Sequence, residues 1–135
     1  MGTLHRNVSV AAGPRGAWNA FTTAEGLRAW LAENARIDAR EGGRVTLRPR
    51  DGGGIDELGL VHTCRPTARL ELRFDSNSPG PWKGGLLGVH IGRDGARTTV
   101  RMSFESALLD IPGAEDALGG WWDDALARLR THLDG

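Results

Sequence analysis

The groups in this 135-residue chain that could carry chemistry are few and scattered. The histidines are His5, His62, His90 and His132, with no His-x-x-x-His pair and no Cys-x-x-Cys. A metal centre needs ligands at short fixed spacings, so no metal and no cofactor are expected. Cys64 is the sole cysteine, which excludes an intrachain disulfide. It falls on the apolar parity of a predicted strand, where a thiol behaves as a small hydrophobe. The glycine run Asp51-Gly52-Gly53-Gly54 lacks the following Lys-Ser/Thr of a phosphate loop and lies between strands, so it reads as a turn. The carboxylate pairs Asp56/Glu57 and Asp123/Asp124 read as solvated charge near a loop and on a polar helix face. No residue is assigned a catalytic role.

His62 is the more interesting candidate. It shares strand parity with Leu58 and Leu60, which predicts an imidazole on the apolar face of the sheet. One polar group in an apolar pocket is what orients a ligand. His90 has the opposite parity from Val89 and Ile91 and is expected in solvent. The aromatic residues are five Trp and three Phe with no Tyr. Four of the tryptophans fall on predicted helices and Trp82 falls in a loop. Trp18 reads as core. The expected ligand-binding walls are Trp30, His62, Met102, Phe104 and Trp122, with Trp82 as a lid.

The elements that must hold these residues are legible in the periodicity. Leu4, Val8 and Val10 alternate with polar residues as a first strand. Pro14 suits a helix start, and Ala17, Trp18 and Phe21 follow at helical spacing. Thr22 and Glu25 form a capping-box pattern for a second short helix bearing Leu27, Trp30 and Leu31. About six strands follow, with turns at Glu41-Gly42-Gly43, Pro49 to Gly54, Arg65-Pro66-Thr67 and Arg93-Asp94-Gly95. The clearest has Ala68, Leu70, Leu72 and Phe74 alternating with Arg69, Glu71, Arg73 and Asp75. Ser76 to Gly85 is a Pro/Gly/Ser-rich loop. A long C-terminal helix places Leu118, Trp121, Trp122, Ala125, Leu126, Leu129 and Leu133 within an arc of ~140°. Gly119 and Gly120 fall off that arc and mark either a kink or an early end to the helix. An antiparallel sheet with one apolar face needs a cover, and this helix is the only long amphipathic element available. The fold class is therefore α+β.

Charge and composition exclude other classes. Lys+Arg and Asp+Glu are both 17, so the net charge is zero, which argues against a nucleic-acid partner. No apolar run approaches the ~20 residues of a membrane span, and the N-terminus has no apolar leader. A cytoplasmic protein with no membrane partner is expected, in one domain over residues 1–135.

The order and local patterns resemble the helix-grip fold of the START/Bet v 1-like (SRPBCC) superfamily, and within it the activator of Hsp90 ATPase family. The resemblance is carried by Val8-Ser9-Val10-Ala11-Ala12-Gly13-Pro14, Ala17-Trp18-Asn19-Ala20-Phe21, Thr22-Thr23-Ala24-Glu25-Gly26-Leu27 and Trp30. It continues through Glu41-Gly42-Gly43 and Arg65-Pro66-Thr67-Ala68-Arg69-Leu70, and ends on Gly120-Trp121 with Leu126 and Leu129. Gly13-Pro14 stands where the family has Ala-Pro, and Trp122 lies outside the pattern. The resemblance implies a curved sheet of about seven strands wrapped around the last helix, with a cavity between them that takes a small hydrophobic or aromatic ligand. Two other roles follow from the family. One is a chaperone-associated stress protein, which would need an exposed apolar patch, for instance around Trp82. The other is a small cyclase or dehydratase, which would need two polar groups converging in the cavity, where the sequence offers only His62. An open sheet with short helices also leaves room for a homodimer.

Overall fold

The computed structural model describes residues 2–135. Strand β1 (Gly2–Val10) leads into helices α1 (Pro14–Thr22) and α2 (Ala24–Trp30). Six strands follow: β2 (Ala32–Ile37), β3 (Arg44–Pro49), β4 (Glu57–Arg65), β5 (Arg69–Phe74), β6 (Leu86–Asp94) and β7 (Arg97–Ser106). A single 3-10 turn (Ala107–Asp110) then connects to the 21-residue helix α3 (Ala114–Asp134). The strands form one antiparallel sheet in the order β1-β7-β6-β5-β4-β3-β2. Strands β2 to β7 each pair with their sequence neighbour. The chain closes the arrangement by pairing β1 with β7, so α1 and α2 must span from one sheet edge to the other. The sheet curls around α3 in the helix-grip arrangement.

The two short helices are separated by a tight break. Thr23, not Thr22, caps α2, its hydroxyl accepting from the Gly26 amide at 2.9 Å. Thr22 is the last residue of α1, its hydroxyl donating back to the Trp18 carbonyl at 2.9 Å, whereas Thr23 has the extended backbone of a cap. Gly26 lets the helices meet, since a methyl group there would strike the Asn19 carbonyl and the Ala20 Cα. The β6–β7 hairpin turns through Gly95 at φ 62° and Ala96. Asp94 stays in the ladder opposite Arg97, so Gly95 alone supplies the left-handed angle.

Most strand parities agree with the sequence pattern. Leu70, Leu72 and Phe74 of β5, Leu87, Val89 and Ile91 of β6, and Val100, Met102 and Phe104 of β7 are buried. They pack with Trp122, Ala125, Leu126 and Leu129 of α3 in one core. Strand β4 is the exception. Its buried positions are Glu57, Gly59 and Val61, while Leu58 and Leu60 are half-buried on the other side. The pairing passes from Val61↔Leu72 to Thr63↔Glu71, so a bulge leaves His62 as the extra residue. Past the bulge, Cys64 lies opposite Leu70 and packs against the core. The inward-facing imidazole expected at His62 is thus corrected, because its side chain is 52% exposed. His90 is exposed, as its parity predicts.

Helix α3 runs unbroken through Gly119 and Gly120. Gly119 is buried against β1, where an added Cβ would lie 2.8 Å from a guanidinium nitrogen of Arg6. Arg6 also clasps the helix through Asp123 at 2.7 Å, a part-exposed pair worth up to about 1 kcal/mol. An added Cβ at Gly120 would meet nothing within 4 Å among the described residues beyond the helix's own backbone. Gly120→Ala therefore raises stability by about 0.5–1 kcal/mol through helix propensity. Gly119→Ala gains less, because the methyl must push Arg6 aside. Urea unfolding of the two variants followed by tryptophan fluorescence checks the order.

Candidate functional site

At one end of the sheet, β3, β5 and β7 finish and β4 begins. The loops there, residues 50–56 and 75–85, face the 3-10 turn and the first turns of α3. They enclose a cleft of about 320 Å³. One wall is α3, with Ala114, Ala117, Leu118 and Trp121. The opposite walls are Pro49 and Ile55 from one loop and Pro81 and Trp82 from the other, with Leu108 closing the side. Ile55 is one of two large hydrophobic side chains left exposed among the described residues. The other, Ile111, sits between the 3-10 turn and α3, both of which border the cleft. The polar residues in the lining are Arg50, Asp51 and Glu57.

Trp82 is the hub of an aromatic cluster beneath this cleft. Its ring lies edge-on to Phe74, Phe104 and Trp121 at 5.4, 5.1 and 5.5 Å and stacks on Trp122 at 5.5 Å. Such edge and offset geometries are the favoured ones for aromatic quadrupoles. Trp121 contacts Trp122 at 5.0 Å, and its indole N–H donates to the Arg50 carbonyl at 2.9 Å, tying α3 to the β3–β4 loop. The buried Trp122 indole N–H has no acceptor among the described residues.

Glu57 is a carboxyl group 1% exposed at the edge of this cluster. It accepts the Ser78 hydroxyl at 2.7 Å and the Trp82 backbone N–H at 3.1 Å, on different oxygens. The Ser78 oxygen in turn accepts the Leu58 amide at 3.0 Å, so its own proton is directed at Glu57. Gly80 lies against the same carboxylate, and any side chain there would collide with it. Burial pushes the Glu57 carboxyl above the usual carboxylate range, and the two hydrogen bonds pull it part of the way back. Glu57 therefore does two things. It fastens the Ser76–Gly85 loop that carries Trp82, and it puts a desolvated acid at the base of an apolar cleft.

Of the six residues expected to form a ligand site, Trp82 lines this cleft. It does so as a packed wall, 4% exposed, rather than as a loose lid. Phe104 and Trp122 stand behind it in the aromatic cluster, fully buried, and Met102 is a buried β7 core residue. Trp30 is also fully buried. Its indole donates to the Ala20 carbonyl at 2.9 Å and its ring meets Phe21 edge-on at 5.0 Å, so it locks α1 against α2. His62 sits on the outer face beside Thr63 at 3.2 Å and Glu71 at 3.6 Å. Cys64 donates to the Ala39 carbonyl at 3.4 Å, and burial pushes its thiol up, away from the reactive thiolate.

Glu57 is buried, not the solvated charge expected of the Asp56/Glu57 pair. Asp56 does behave that way, half-exposed and paired with Arg48 at 2.8 Å. The signal that would have separated them is the parity Glu57-x-Gly59-x-Val61. It is masked because one member carries no side chain and another carries a charge. Among the described residues, no three His, Cys, Asp or Glu side chains gather as a metal cluster, and no helix is long and apolar enough to cross a membrane.

Solved structures with this architecture include several of low sequence identity. The solution structure of the Aha1 dimer from Colwellia psychrerythraea superposes with a TM-score of 0.82 at 19% identity, covering 99% of this chain and 97% of that one. Protein MLL2253 from Mesorhizobium loti gives 0.79 at 18% identity, covering 98% and 97%. DynU16, from the dynemicin biosynthetic locus, gives 0.78 at 22% identity. It covers 97% of this chain but 46% of its own, so this chain corresponds to about half of it. A search of curated proteins finds no match. These likenesses establish the fold. A sequence model of the activator of Hsp90 ATPase homolog 1-like proteins matches residues 11–134, nearly the full length, and on that match the chain belongs to this family.

Proposed function

We propose that this protein binds a small hydrophobic or aromatic molecule in the cleft between the start of α3 and the loops at residues 50–56 and 75–85. The observation that carries this reading is the cleft itself. Its volume of about 320 Å³ falls in the range of small-molecule pockets, and its walls are two indoles, aliphatic side chains and two prolines. Burying a ligand's apolar surface there would contribute roughly 25 cal/mol per Å². The space between the sheet and the middle of α3 is filled by Trp122, Phe104, Met102 and Leu129, so the ligand would sit at the mouth of the grip rather than deep inside it. A cytoplasmic location belongs to this reading, as does pairing of two copies, which the dimer of the Colwellia relative supports.

Titration with a neutral apolar probe, 4-phenylbutanol, tests it. The backbone and indole N–H resonances are followed in a ¹H–¹⁵N spectrum. The indole signals of Trp82 and Trp121 shift, while those of Trp18 and Trp30 stay in place. An unchanged spectrum at millimolar probe sinks the proposal.

A further inference from the structure

We infer that the cleft takes a molecule with a protonated amine on an apolar body, and that Glu57 is the counter-charge that recognises it. This rests on the ligand-binding reading above and adds the chemical class of the ligand. Three observations carry it.

The first is that the hydrogen bonds around Glu57 fit an anion. Both groups donate to it. The Trp82 backbone N–H can only donate, and the Ser78 hydroxyl, which accepts from the Leu58 amide, has its proton available for Glu57. A carboxylate offers about four acceptor positions and two are filled, so it can take further donors. A protonated acid would give up one of those positions and accept the two bonds it has more weakly.

The second is that this charge has no partner. Among the described residues no Lys, Arg or His lies within ion-pair distance of Glu57. Arg50 is the cation in the cleft lining, but it is not within ion-pair distance of Glu57; its Nη2 donates to the Arg28 carbonyl at 2.6 Å, and its buried Nε has no partner among the described residues. A buried charge without a partner is costly, and a ligand that brings the opposite charge relieves that cost.

The third is the company Glu57 keeps. Trp82 and Trp121 line the same cleft, and indole faces attract cations as well as apolar groups. An acid with aromatic walls suits an alkyl- or arylalkylammonium better than it suits an anion or a neutral carbonyl compound.

The test is a matched pair on the full-length protein: 4-phenylbutylamine and 4-phenylbutanol, titrated calorimetrically at pH 7.5. The amine binds at least about tenfold more tightly than the alcohol, as a charge-assisted hydrogen bond predicts. Glu57→Gln brings the ratio of the two affinities down to about one. If the alcohol binds and the amine binds no better, the amine assignment is overturned while the ligand-binding proposal stands. Should neither bind, both fall. A carbonyl probe, 4-phenylbutan-2-one, that binds more tightly than the amine also overturns the assignment. Because the wild-type comparison decides by itself, the inference stays testable if Glu57→Gln fails to fold.

Discussion

Trp82→Ala lowers the unfolding free energy by about 3–5 kcal/mol, the range for deleting a buried large aromatic. The residue is 4% exposed although it sits in a loop. Four aromatic rings touch it, from β5, β7 and α3, so its removal opens a cavity bordered by three elements at once. Those neighbours cannot easily collapse inward. Phe74 and Phe104 are held by strand register, and Trp121 is held by its bond to Arg50. The high end of the range is therefore expected. The loop that carries Trp82 is anchored independently by Ser78 on Glu57, so the variant still folds with a less ordered 75–85 segment. Urea denaturation followed by far-ultraviolet circular dichroism measures the loss without relying on tryptophan emission. A loss below about 1 kcal/mol would show that the aromatic cluster does not hold this end of the sheet to α3.

The same residue shows how far the sequence can be read. Strands β5 and β7 and helix α3 declare themselves because their buried positions carry large apolar side chains at period 2 or near 3.6. Trp82 has no periodic context, so its burial depends on contacts with residues far away in the chain, which local patterning does not encode. β4 fails for a related reason. Its inward face is Glu57, Gly59 and Val61, and two of those three do not look apolar, while the outward Leu58 and Leu60 do. The bulge at His62 then restores Cys64 to the core side, so a strict alternation from Leu58 to Cys64 assigns most of the strand to the wrong face. The tryptophans are legible as a group, four on helices and one in a loop. Which of them meet open space was not legible. Trp121 and Trp122 are adjacent, yet one lines the cleft and the other is sealed, and about 100° of helix rotation decides it. The burial of Glu57 depends on Ser78, Gly80 and Trp82 of the loop folded over it, more than twenty residues away in the chain.

Ala117→Phe abolishes the response to 4-phenylbutanol, weakening its binding at least about tenfold, with stability changed by less than about 1 kcal/mol. Ala117 lies on the α3 wall of the cleft, yet it is exposed, so a larger side chain there meets open volume before it meets packed atoms. Helical side chains lean toward the N-terminus of their helix. A phenyl ring at 117 therefore tilts over Ala114 and across the cleft rather than back onto Trp121. The propensity cost of Phe against Ala in a helix is under about 0.7 kcal/mol, and contact of the ring with Ala114 and the apolar wall across the cleft offsets part of it. Ala127→Phe is the control, because Ala127 is exposed on the same helix ten residues further on and lies outside this cleft. It carries the same propensity cost and leaves probe binding as it is in the wild type. Equal binding by all three proteins would move the ligand site away from the start of α3. Loss of binding in the Ala117 variant alone ties recognition to this cleft by steric occupation, without disturbing Glu57 or the aromatic cluster that the stability of the domain rests on.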